Sequence, residues 1–128
     1  MEKELQKVNY EQARRLRAAG FDWKCDYYYP ANSGEIVIFR NIVNDSGDDR
    51  YFTAPTVALV LKWMRDVKGI VNIVGYHDGW YGAFQTGTHY FTEWHETDRY
   101  GAYEAAESAL LDELLSLLEK NQSNETGI

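Results

Sequence analysis

Residues Tyr103 to Lys120 read YEAAESALLDELLSLLEK. At helical spacing the apolar side chains of this run cover roughly half the circumference, more than the ~100° stripe that packing on one neighbour requires. The run predicts a helix made to be buried. A second such helix is expected between Pro55 and Val67, where Val57, Val60, Leu61, Met64 and Val67 share a flank that Leu59 and Trp63 widen. Thr53 suits its cap, Pro55 its first turn, and Gly69 its close. A helix with so broad an apolar surface needs a sheet on one side and another helix on the other.

Strand signals fill the spaces between. Trp23, Cys25, Tyr27 and Tyr29 alternate with Lys24, Asp26 and Tyr28, and Pro30 to Gly34 reads as a turn before Glu35-Ile36-Val37-Ile38-Phe39, predicting a hairpin. The polar loop Asn44 to Asp49 leads into Arg50-Tyr51-Phe52. Ile70 to Tyr76, Trp80 to Gln85 and His89 to Trp94 form an expected meander, turning at Asp78-Gly79 and less strongly at Thr86-Gly87. Near the N-terminus, Asn9 and Gln12 have the spacing of a capping box, Tyr10 to Ala19 favours helix, and Gly20 suits its left-handed end, with Phe21 folding back over Ala13 and Leu16. The order helix, hairpin, helix, meander, helix predicts an α+β domain over residues 1–120. It consists of an antiparallel sheet of about five strands with three helices packed mainly on one face, followed by a flexible tail over 121–128. Tight hairpins exclude a doubly wound parallel sheet, whose crossovers need a dozen or more residues.

The chain has 128 residues, 45% of them hydrophobic, and a formal charge of −7. From Glu93 to Glu119 there are eight acids against one base, Arg99, and the rest of the chain balances. Arg14, Arg15 and Arg17 make the first helix basic, but the acidic balance of the chain disfavours direct nucleic-acid binding, whose phosphate affinity rests on clustered Lys and Arg. One cysteine, Cys25, excludes an internal disulfide and a thiolate cluster. Met1-Glu2-Lys3-Glu4 lacks a signal-peptide core, and no apolar run approaches the ~18 residues of a membrane span. A cytoplasmic protein without cofactor is expected.

Three segments carry a resemblance. They are Tyr10-Glu11-Gln12-Ala13 through Gly20-Phe21-Asp22-Trp23, Ala54-Pro55-Thr56-Val57-Ala58-Leu59 through Lys62-Trp63-Met64-Arg65 and Gly69-Ile70, and Tyr103-Glu104-Ala105-Ala106 through Leu114. In that order they resemble a group of small uncharacterised phage, prophage and mobile-element proteins of anaerobic gut bacteria of the Bacteroides type. The resemblance implies a mobile-element origin. Its motifs are those of helix packing, and it brings no catalytic residues with it.

Several clusters invite a chemical reading. His77, His89 and His95, with Asp78 and Glu93, are metal candidates by ligand type, and Glu93 and His95 would share a strand face, but their spacing matches no HExxH motif. Exposed strand histidines are the expectation. Asn44 to Asp49 offers oxygen ligands without the register of an EF-hand and reads as a solvated turn. Cys25 lacks a base nearby in sequence and reads as a small buried hydrophobe, while Ser33 and Ser46 read as turn formers. The aromatic stretches Tyr27-Tyr28-Tyr29, Trp80-Tyr81 and Tyr90-Phe91 put rings on both faces of their strands, which leaves two alternatives. Either some rings form an open contact surface, or the sheet is covered on both sides. In the acidic helix, Glu104 and Glu107 suit the macrodipole, and Asp112, Glu113 and Glu119 form a polar side.

The leading expectation is a non-enzymatic accessory protein that binds another protein or a second copy of itself, with Trp80, Tyr81, Tyr90 and Trp94 as contacts and Trp63 in the core. One alternative is a DNA mimic whose acidic face, Glu104, Asp112, Glu113 and Glu119, occupies the DNA site of a host defence protein. The other is a metal-dependent enzyme using the strand histidines.

Overall fold

The computed structural model describes residues 5–44, 50–86 and 93–126, and the side chains of all these except 40 and 122–126. The class is α+β with antiparallel pairing and three helices, as the sequence predicts. The strands are divided between two three-stranded sheets instead of forming one. Contacts likewise cluster in two compact units, 1–56 and 57–128, where the sequence offers no linker to suggest a division.

The first unit begins with α1, Tyr10–Ala18. The Asn9 side chain accepts from the Gln12 N–H at 2.8 Å and the Gln12 side chain accepts from the Asn9 N–H at 3.0 Å, so the expected capping box is present. At the other end Gly20 takes a φ of 92°. The Gly20 and Phe21 N–H groups donate back to the Arg17 and Leu16 carbonyls, which is a Schellman close. Phe21 and Leu16 are both buried. The strands β1, Cys25–Pro30, β2, Val37–Ile42, and β3, Tyr51–Thr53, pair in the order β2-β1-β3. A bulge between Cys25 and Tyr27 lies opposite Asn41, whose φ is 59°. Thr53 ends β3 and is not a helix cap. Its N–H donates to the Asn44 side chain at 3.0 Å.

The second unit holds α2, Val57–Asp66, β4, Asn72–Tyr76, β5, Trp80–Thr86, β6, Glu93–Glu96, and α3, Tyr103–Thr126. Sheet order is β4-β5-β6. The hairpin of β4 and β5 turns through Asp78 and Gly79, both at positive φ, with His77 included in the connection because Tyr76 pairs with Trp80. α2 packs on α3 and on β4, the helix-and-sheet sandwiching its broad flank requires. It stops at Asp66, ahead of Gly69, which leaves Val67 exposed rather than in the core. Buried Asn72 joins helix to strand: its amide donates to the Leu61 and Ile70 carbonyls and its oxygen accepts from Arg65 at 2.9 Å.

α3 buries Ala106, Leu110, Leu111, Leu114, Leu115 and Leu118, the half-circumference surface its sequence implies. It lies on β5 so closely that a Cβ on Gly82 would stand 2.5 Å from the Leu110 Cβ. The helix runs on to Thr126, past Lys120, where the sequence places the start of a flexible tail. Among the described residues no helix is long and apolar enough to cross a membrane.

Candidate functional site

In the first unit the alternation along β1 divides its aromatic rings between two faces. Tyr29 is buried and donates from its hydroxyl to the Val8 carbonyl at 2.8 Å, and the Lys7 ammonium lies 4.2 Å above the Tyr27 ring. Tyr28 points the other way. Its ring meets Phe39 of β2 edge-on at 6.4 Å and Tyr51 of β3 edge-on at 5.8 Å, the geometry that ring quadrupoles favour. The Tyr51 hydroxyl donates to the Val43 carbonyl at 2.7 Å, which fixes that ring. These three rings, with Pro30, Ile42 and Arg50, line an open hollow of about 450 Å³. It falls within the size range of small-ligand and side-chain pockets, and one guanidinium stands among its apolar walls.

The hollow adjoins an edge strand. Among the described residues β2 pairs only with β1, and Ile36, Val37, Ile38 and Phe39 are all exposed, Ile38 at 68% and Phe39 at 60%. A half-buried hairpin strand alternates apolar and polar, whereas β2 opens with three successive apolar residues directly after Ile36, so both of its faces show hydrocarbon to water. That unbroken run was the available signal for a contact surface. The expected contacts lay instead in the Trp- and Tyr-rich meander.

Those meander residues are placed as follows. Trp80 is half-buried between the rings of Tyr76, at 5.2 Å, and Tyr103, at 5.4 Å. Tyr81 lies under the Arg99 guanidinium at 4.1 Å. Trp94 is 50% exposed and pairs across the strands with Gln85, and Trp63 is 1% exposed and belongs to the core as expected. Tyr90, His89, Ser46 and residues 45–49 lie outside the described residues. Of these rings Phe39 and Trp94 are exposed, and Tyr28, Tyr51, Trp80 and Tyr81 are half-buried.

A second depression, about 530 Å³, runs between α3 and the end of the meander, lined by Phe84, Thr86, His95, Asp112, Glu113 and Lys120 among others. The His95 ring stacks on Phe84 with centroids 5.3 Å apart, and its Nε2 lies 2.8 Å from the Thr86 hydroxyl and 3.9 Å from a Glu93 carboxylate oxygen. The expected approach of Glu93 and His95 is therefore made. It does not assemble a nucleophilic triad, because the carboxylate faces the same ring nitrogen as the hydroxyl, whereas a relay needs it on the other nitrogen. Partial burial raises the Glu113 carboxyl above its usual range and the Asp98 charge raises it further, while His95 opposes both.

His77 sits exposed at the β4–β5 turn, 3.6 Å from the Asp78 carboxylate. His95 pairs with Phe84 at the other end of β5, and four residues of strand at about 3.3 Å each keep the two imidazoles apart. The convergence that a metal reading needs is not made by these two. Among the described residues no group of three or more His, Cys, Asp or Glu side chains stands close enough to hold a metal ion. Asn44 uses its side chain within the fold, donating to the Phe21 carbonyl as well as accepting from Thr53. Ser33 accepts from the Glu35 N–H at 3.2 Å, as a turn former does. Burial pushes the Cys25 thiol up to about 11, which leaves it protonated and unreactive near neutrality.

Along α3, Asp112, Glu113 and Glu119 are exposed and Glu104 is half-buried. Glu107 departs from the macrodipole reading because it is buried, midway across the apolar arc at about 3.6 residues per turn. No protein-family model, curated protein or solved structure matches this chain.

Proposed function

We propose that this chain is a non-enzymatic accessory protein of phage or mobile-element origin that acts by binding another protein, with the β2 edge and the adjoining hollow as its contact surface. The observation that carries the reading is the exposure of Ile36 to Phe39 on an edge strand beside an aromatic hollow. An edge strand with exposed apolar side chains favours strand addition by a partner. The mobile-element origin rests on the resemblance alone.

The test is capture from a lysate of a gut anaerobe by the immobilised chain, compared with Ile38→Lys, a change that places a charge on an exposed edge and leaves the core alone. The expected result is a specific protein retained by the wild type and lost by the variant. Retention of nothing specific, together with a monomeric chain in solution, would overturn the proposal.

A second reading is favoured by the exposure of Asp112, Glu113 and Glu119 along one helix: an acidic mimic that occupies the DNA site of a host defence protein. Its test is inhibition of DNA binding by the wild type and by a variant with Glu104→Gln, Asp112→Asn, Glu113→Gln and Glu119→Gln. The reading expects inhibition that weakens with added salt and disappears in the variant. Equal inhibition by a folded variant would dismiss it.

A further inference from the structure

We infer that the open edge of β4 pairs with the β4 of a second copy of this chain, antiparallel about a two-fold axis at Val74. This goes beyond the β2 contact surface, because the edge lies in the other unit and its occupant is the chain itself.

The backbone sets the geometry. β4 pairs with β5 at five consecutive positions without a bulge, and the Val71 carbonyl accepts from the Gln85 N–H at 3.0 Å. Trp80, opposite Tyr76, exchanges both of its backbone bonds with Tyr100 on its other side. Bonded and non-bonded positions alternate in an antiparallel ladder, so Val71, Ile73 and Gly75 turn their backbone groups to β5, and Asn72, Val74 and Tyr76 turn theirs to the edge. Among the described residues no strand or side chain takes up those edge groups.

The edge also lacks what keeps strands apart. Charge, proline, a bulge or shortness ordinarily blunts an open edge. β2 carries Arg40, β6 carries Glu93 and Glu96, and β3 has three residues. β4 has none of these devices: Gly69 to His77 holds no acid, lysine, arginine or proline, and Val71, Ile73 and Tyr76 are exposed.

Charge at the two ends of the strand selects the occupant. The Arg65 guanidinium is held at the start of β4 by a 2.9 Å bond to the Asn72 side chain, and the exposed Asp78 carboxylate stands beyond Tyr76 at the other end. With Val74 on the axis, Asn72 of one copy lies opposite Tyr76 of the other, which is the register that engages all three edge residues of both copies. Each positive end then lies beside a negative one. A parallel pairing would set Arg65 against Arg65 and Asp78 against Asp78. A strand from an unrelated protein would find no charge along the edge to read, whereas reversal makes this strand complementary to itself.

The experiment is sedimentation equilibrium of the full chain from about 1 µM to 1 mM, in about 0.02 and 0.5 M sodium chloride. A single added strand pair is an interface at the small end of the range, so a dissociation constant on the order of 10–100 µM is expected. Val74→Pro removes an edge N–H and no bond to β5, and Ile73→Lys puts a charge on an exposed position beside the axis. With native circular dichroism, each is expected to weaken the dimer about tenfold or more. Asp78→Asn, which tolerates the positive φ of that position, is expected to weaken it about threefold at low salt and not at high salt. Glu119→Gln, which removes the same charge elsewhere, should not weaken it.

A monomer throughout the range, a dimer indifferent to both β4 variants, one that Ile38→Lys breaks instead, or one that Asp78→Asn leaves as tight as wild type at low salt would each overturn the inference. Capture of a host protein by a monomeric chain, abolished by Ile38→Lys and untouched by Val74→Pro, would sink this inference and keep the proposed function. A β4-dependent dimer that captures nothing would uphold this inference and count against the β2 contact surface.

Discussion

Gly82 of β5 lies against α3, and a Cβ there would overlap the Leu110 Cβ at 2.5 Å and its Cγ at 3.1 Å. Backbone on one side and the root of a helix side chain on the other leave little room to adjust. Gly82→Ala is expected to destabilise the protein by about 1–3 kcal/mol, read as a lowered urea midpoint at unchanged slope. Glu107 presents the opposite case, a polar group kept inside. Burial raises its carboxyl, the Glu104 charge adds to the rise, and a hydrogen bond with Tyr103 opposes it. A carboxyl whose folded value lies above its unfolded value binds its proton more tightly when folded. Its contribution to stability is complete below the unfolded value of 4.5 and is lost as pH rises through the folded value. Glu107→Gln should therefore raise the melting temperature at pH 8 more than at pH 4, and an equal shift at both would refute the assignment. Cys25, shielded and held protonated, should react with a thiol reagent at pH 7 only on the timescale of unfolding, with full reaction in urea.

Among the elements, α1 owes its limits to groups close by in the chain, so its sequence announces it: the Asn9–Gln12 box opens it and Gly20 closes it. Asn9→Ala should cost about 1 kcal/mol by the loss of that cap. α3 is legible for a different reason, since leucines covering half the helix circumference can be satisfied only by burial. Leu114→Ala, at a fully buried position, should cost about 2–5 kcal/mol in chemical denaturation. The end of α2 was less legible. Val67 continues the apolar spacing, yet the chain leaves the helix at Asp66 to reach Gly69 and place Asn72 beneath it. The β2 strand was misleading in the other direction, because an apolar run ordinarily means burial, and here it lies on an open edge.

At the scale of the molecule, acidity is concentrated between Glu93 and Glu119, and most of those carboxylates stand at the surface of one unit. Repulsion among exposed like charges within about 10 Å of one another is screened by salt. The melting temperature should rise between 0.02 and about 0.5 M sodium chloride, a range over which the screening length falls severalfold. A fall over that range would mean that attractive pairs, such as Lys62 with Asp66 and Arg99 with Glu96, outweigh the repulsion.

What the sequence by itself determined is what neighbours along the chain decide: the start and stop of α1, the turn at Asp78-Gly79, the alternation that faces Tyr28 away from Tyr29, and the α+β class. The tertiary structure alone decided how the six strands among the described residues divide into two sheets, that Ile36 to Phe39 stay exposed, that Glu107 is taken inside, and that His77 and His95 remain at opposite ends of β5. Strand pairing and edge exposure depend on residues far apart in the chain, and the period of a side-chain pattern states which face is apolar without stating what, if anything, comes to cover it.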